Sequence, residues 1–141
     1  LFQFPKSFRA DQAVLEDFLA LIPRDKPSAF EFRSPSWLND EMLDLLRGKG
    51  ASLCVADSEE NPVQEIISTA SWGYLRLRRP DYTDADLSQW VENILSQKWE
   101  KAFVFFKHED EAGGAEMAMR FQELIGSRVE KVGGGRVSKA A

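Results

Sequence analysis

One cysteine and one histidine occur in the 141 residues, so neither type can build a paired framework. Cys54 alone excludes an internal disulfide. It falls inside an apolar, strand-like run, where a free cysteine behaves as a small buried hydrophobe; a nucleophile would need an exposed, electropositive setting and a nearby base. A reducing, cytoplasmic setting fits that usage. Among His, Asp and Glu, the set on offer for a metal is Glu31, Asp57, His108 and Glu109, and the arginines between them oppose a cation. No metal site is therefore expected, and no cofactor is identified. No apolar run approaches the roughly 20 residues needed to cross a bilayer, and Leu1 opens without the basic region or cleavage site of a signal peptide. An initiator Met is lacking as well. Leu1-Phe2-Gln3-Phe4 reads as the middle of a strand, which predicts a piece of a longer polypeptide. Positive charge is in short supply: 18 Lys and Arg face 23 Asp and Glu, a net charge of −5. That balance disfavours broad binding to nucleic acid or anionic membrane, while leaving room for a local basic pocket.

What is present is the material of one globular domain, 43% hydrophobic and 29% charged. Strands are predicted at Leu1–Phe4, Ala29–Arg33, Ser52–Asp57, Gly73–Arg78 and Ala102–Lys107, each short and apolar on both faces over much of its length. Helical patterns alternate with them. Asp11 caps a first helix that Pro23 ends. Asn39 caps Asp40–Arg47, which Gly48 and Gly50 terminate, and Thr83 with Asp86 forms a capping box before a third helix. A fourth helix is expected at Ala115–Ile125, with Gly126 as its stop. Ser58–Ser71 offers a short helix at best. Residues 1–126 then make the folded unit and 127–141, with Gly133-Gly134-Gly135, a flexible tail. Every gap between strands is long enough for a parallel crossover. The pattern allows two closures, a doubly wound open sheet or part of a (β/α)8 barrel.

Strand alternation gathers polar residues toward the C-terminal ends of the strands, where parallel α/β folds bind ligands. Glu31 and Arg33 share a face, as do Arg76 and Arg78, while Gln3, Asp57 and Lys107 stand near the same level. These residues define a candidate site for a small anionic molecule. Arg33, Arg76, Arg78 and Lys107 would receive a carboxylate or phosphate, with Gln3 beside them. Glu31 or Asp57 would act as general base or orient an arginine. Trp37, after Pro35, either stacks on a ligand at the rim or buries its ring at a helix entry. Glu31 and Arg33, about 7 Å apart along the strand, are expected at different depths, with Glu31 meeting Arg76 across the interior. Two readings compete. The arginine face could serve nucleic acid, although no aromatic stacking platform is evident beside it. Alternatively, the charges could form a structural ion network with no catalysis, an expensive arrangement where apolar residues would serve.

Several motifs carry a family resemblance. Leu1-Phe2-Gln3-Phe4-Pro5-Lys6-Ser7-Phe8, Phe30-Glu31-Phe32-Arg33-Ser34-Pro35-Ser36-Trp37 and Cys54-Val55-Ala56-Asp57-Ser58 resemble successive signatures of the YecE-like family, domain of unknown function 72. Tyr74-Leu75-Arg76-Leu77 and Phe103-Val104-Phe105-Phe106 continue the series in order. The resemblance implies a partial (β/α)8 TIM-type barrel, these strands being the fourth to the eighth, with the N-terminal part of the barrel as the expected partner. Exposed edges on the first and last strands would then invite self-association. The resemblance names no reaction. This chain departs from the family at Ser34 and near Arg78, where a histidine is frequent, and at Lys107-His108-Glu109-Asp110, which replaces an asparagine-rich ending.

Overall fold

Local signals start and stop the helices much as the sequence predicts. The structure, a computed structural model, describes residues 1–63, 65–106 and 113–132, and of 130–132 the backbone alone. Strand β1 (Phe2–Phe4) leads into helix α1 (Gln12–Leu21), whose first turn is capped by the Asp11 carboxylate accepting from the Val14 N–H at 3.1 Å. Strand β2 (Ala29–Phe32) is followed by a single 3-10 turn, Pro35–Trp37, and by α2 (Asp40–Lys49). Asn39 caps α2, and Gly50, at φ 69°, ends it in the left-handed conformation that glycine adopts without strain. After β3 (Ser52–Asp57) and β4 (Trp72–Leu77) comes α3 (Asp84–Leu95), which opens on the expected capping box of Thr83 and Asp86. Strand β5 (Lys101–Phe106) and helix α4 (Gly113–Val132) complete the order. Helix α4 does not stop at Gly126 but runs on to Val132, because a lone glycine weakens a helix by only about 1 kcal/mol. Among the described residues of the β3–β4 link there is no helix.

Among the described residues, the five strands are all parallel and lie in sequence order, β1-β2-β3-β4-β5. A doubly wound sheet reverses its strand order at a switch point; this sheet has no reversal. The packing agrees. Phe30 and Leu53 bury against Leu15 and Leu19 of α1 and Met42, Leu43 and Leu46 of α2. Val55, Leu75 and Leu77 bury against Leu87, Trp90, Val91 and Ile94 of α3 and Phe121 of α4. Phe30 is in register with Leu53, and Val55 with Leu75, so both clusters occupy one face of the sheet, and the four helices of the described residues cover that face. The opposite face carries no helix among the described residues.

That division decides where each polar side chain goes. Gln3 is in register with Glu31, Cys54 with Tyr74, and Arg76 with Ala56 and Phe105. Because Phe30 pairs with Leu53, the next residues along, Glu31 and Cys54, point together to the helix-free side. Asp57, two residues beyond Val55, points to the helix side.

Candidate functional site

The helix-free face is built around one carboxylate. Glu31 is 3% exposed and accepts from three donors. Gln3 Nε2 on β1 reaches Oε2 at 3.1 Å, Arg33 Nε reaches Oε1 at 3.1 Å, and Arg76 on β4 donates a short hydrogen bond to Oε2. Burial alone would raise the Glu31 carboxyl, but the hydrogen bonds from Gln3, Arg76 and Arg33 outweigh it and hold the group below the usual carboxylate range. Glu31 is therefore an ionised, saturated anion. Its two guanidinium partners bring the cluster to one net positive charge, and their side chains stay 47% exposed at Arg33 and 28% at Arg76. The pairing of Glu31 with Arg76 is the one the sequence predicts. The pairing with Arg33 is not: spacing along the strand separates the two backbones, but the arginine side chain is long enough to fold back onto its neighbour.

Hydrophobic and aromatic groups continue this face. The thiol of Cys54 is buried, and that burial, with the Glu31 charge nearby, pushes it up to about 12, which makes it an unreactive neutral group. Tyr74 and Phe105 lie with ring centroids 5.0 Å apart, beside Arg76, and Phe105 is exposed. Aromatic groups thus do accompany Arg76, contrary to the expectation from the sequence. Alternation along β4 already puts Tyr74 on the face of Arg76, but only the register, which pairs Arg76 with Phe105, could have found the second ring.

The other predicted residues divide. Arg78 follows β4, donates its backbone N–H to Asp57 O at 2.9 Å and lines the same cleft as Glu31 and Arg33. Asp57 does not join Glu31. On the helix side its Oδ2 accepts from the Tyr82 hydroxyl at 2.7 Å and its Oδ1 from the Val63 N–H at 2.9 Å, with Arg79 Nε 3.4 Å away. Burial, together with the negative charge of Asp57, pushes the Tyr82 phenol up, so it stays a donor. Alternation correctly places Leu53, Val55 and Asp57 on one face, but that face is the one opposite Glu31. Glu31 and Asp57, the two carboxylates expected as alternative general bases, therefore stand on opposite faces of the sheet. Trp37 also leaves the ligand-binding set. It is 0% exposed, donates its indole N–H to Phe8 O at 2.8 Å and stacks on Phe32 with centroids 5.0 Å apart. The helix-entry role is the one it fills. Lys107, His108 and Glu109 lie outside the described residues. Among the described residues, no three His, Cys, Asp or Glu side chains gather to hold a metal.

Comparison with known proteins places this geometry in a family. No curated protein matches the chain. Two solved structures are similar, and both are DUF72 family proteins. One, from Thermotoga maritima, shares 25% identity with a TM-score of 0.74, covering 88% of this chain and 56% of that one. The other, from Enterococcus faecalis, shares 22% identity with a TM-score of 0.70, covering 88% of this chain and 59% of that one. The chain thus spans little more than half the length of these relatives. Residues 1–140 match the family described as protein of unknown function DUF72, and the chain belongs to that family.

Proposed function

We propose that the helix-free face carries a binding site for a small anionic molecule, with Arg33 and Arg76 as the receiving groups. The observation that supports this reading is the saturation of Glu31 by two guanidinium groups that remain partly open to solvent. Each arginine spends one N–H on Glu31, and among the described residues the rest of each fork has no partner. A carboxylate or phosphate matches such forks bidentately. Glu31 is a positioning residue in this scheme: a carboxylate already encircled by cations is a weak base, and it fixes the two forks instead. Gln3 holds Glu31 from the other side.

The same face gives the architecture its reading as part of a (β/α)8 barrel. Parallel strands in sequence order with every helix outside are the arrangement of a barrel wall, in which the helix-free face becomes the interior and ligands bind at the C-terminal strand ends. Edge-facing amides of β1 and β5 should then exchange quickly in this chain and slowly in a longer chain that closes the barrel.

Titration with inorganic phosphate, followed by calorimetry or amide chemical shifts, tests the site. Arg33→Met and Arg76→Met should each loosen binding about tenfold or more, the scale of one charge-assisted hydrogen bond. Glu31→Gln should loosen it too, without touching the ligand. Wild-type affinity in both arginine variants would overturn the proposal.

A further inference from the structure

The strand pairing has one gap. Strands β4 and β5 hold six register pairs and β3 and β4 hold four, but β2 and β3 hold only two, Ala29 with Ser52 and Phe30 with Leu53. Beyond Leu53 the two strands part, and a cleft of about 830 Å³ opens between them. Both faces of β3 line it, Leu53 and Val55 from the helix side and Cys54 and Ala56 from the other. It is therefore a slot between two interior strands of the sheet and not a dimple on one surface. Its volume lies in the range of small-molecule sites.

The walls of this slot differ in kind. Phe32, Leu53, Val55, Leu38 and Ile67 make an apolar wall, and Lys6, Arg33 and Arg78 stand in the same lining as cations. Three exposed carboxylates, Glu59, Glu60 and Glu65, belong to the link that closes the slot. A polyanion would meet those carboxylates as well as the cations. A single anionic head with an uncharged body need meet only the cations, while its body displaces water from the apolar wall. Arg33 belongs both to the slot and to the Glu31 cluster, which joins the two into one site.

We infer that the slot between β2 and β3 takes an amphiphilic anion, a carboxylate or phosphate carrying an aliphatic or aryl body, with its head on Arg33 and Arg78 and its body against Phe32, Leu53, Val55 and Ile67. This deepens the anion-site reading above and rests on it for the head group alone, which it shares through Arg33, with Arg78 rather than Arg76 as the second cation.

Straight-chain carboxylates from acetate to octanoate, titrated into the whole chain, separate the two parts. Each added methylene should tighten binding about fourfold until the slot is filled, the value of one buried CH₂. Leu38→Asp places a charge on the wall at a residue already 47% exposed, so the fold tolerates it, and it should flatten that dependence on length. Arg33→Met with Arg78→Met should weaken every member by a similar factor and leave the dependence on length intact. If acetate binds through the arginines but affinity does not change with chain length, the amphiphile is overturned and the anion site stands. If affinity rises with length yet is indifferent to the arginines, the anion reading falls instead. Octylamine binding as tightly as octanoate would overturn the choice of an anionic head.

Discussion

Glu31 on β2 and Arg76 on β4 are joined by an ion pair that passes over β3, the strand between them. The small residues Cys54 and Ala56 on that face of β3 leave the space through which the arginine reaches. One carboxylate thereby ties together β1, β2 and β4 through Gln3, Arg33 and Arg76.

Removing the Glu31 charge should therefore cost more than removing either cation. Glu31→Gln leaves two guanidinium groups facing each other over a buried amide and should destabilise the fold by about 2–4 kcal/mol, below the upper range for a fully buried pair because Arg33 is half in solvent. Arg76→Met leaves Glu31 with Arg33 and Gln3 and should cost about half as much. Urea unfolding of the two single variants and the double variant checks this. The coupling between the sites should be at least about 1 kcal/mol, and additive losses would mean that the pair contributes nothing.

The same carboxylate sets an acid limit. Its folded pKa lies below that of an unfolded glutamate, near 4.3. The unfolded chain therefore takes up the proton first as pH falls. The contribution of Glu31 is fully present above about pH 4.3 and is lost as pH drops through the folded value. The stability gap between the wild type and Glu31→Gln should stay constant from neutrality down to the ordinary glutamate range and narrow below it. A gap that widened on acidification would reverse the sign and refute the assignment.

Much of this was legible in the sequence, and the boundary has a physical basis. The caps at Asp11, Asn39 and Thr83 depend on residues within one turn, so local chemistry reveals them. Alternation likewise reveals which residues within a strand share a face. It does not reveal how one strand's faces match its neighbour's, because that depends on register. Asp57 shows the consequence: with Phe30 set against Leu53, Asp57 belongs to the helix side. Arg79 and Tyr82, which surround Asp57, come from the loop after β4, where no periodicity operates. Trp37 has the same difficulty, since a tryptophan after a strand reads equally as rim or core until its neighbours Phe4, Phe8 and Phe32 are placed.

Gly73 and Trp99 provide a packing test away from the site. A Cβ on Gly73 would overlap the six-membered ring of Trp99, whose indole N–H is held by Ser68 Oγ at 2.8 Å. Gly73→Ala must push the ring aside and break that hydrogen bond, an overpacking cost of about 1–3 kcal/mol. The tryptophan fluorescence should change with it. In a Trp99→Ala background the same substitution should be nearly neutral, since the obstructing ring is gone. A large loss in both backgrounds would place the strain in the β4 backbone and not in the ring.

Asp57 and Tyr82 supply the sharpest check on how the face is divided. Tyr82→Phe keeps the ring under Arg79, which lies 4.4 Å from its centroid, but removes the hydroxyl that donates to Asp57 and accepts from the Arg79 N–H. The expected loss is about 1–3 kcal/mol, since both groups are left short of a partner on the buried side of the sheet. Asp57→Asn should destabilise as well, because it withdraws the charge that faces Arg79. Neither variant should change the affinity for inorganic phosphate, because their side chains lie across the sheet from Arg33 and Arg76. Thermal melts and phosphate titrations on the same two variants therefore separate structure from site. Lost stability with intact binding is the outcome this geometry requires. Intact stability with lost binding would return Asp57 to the ligand site and make the helix side the functional one.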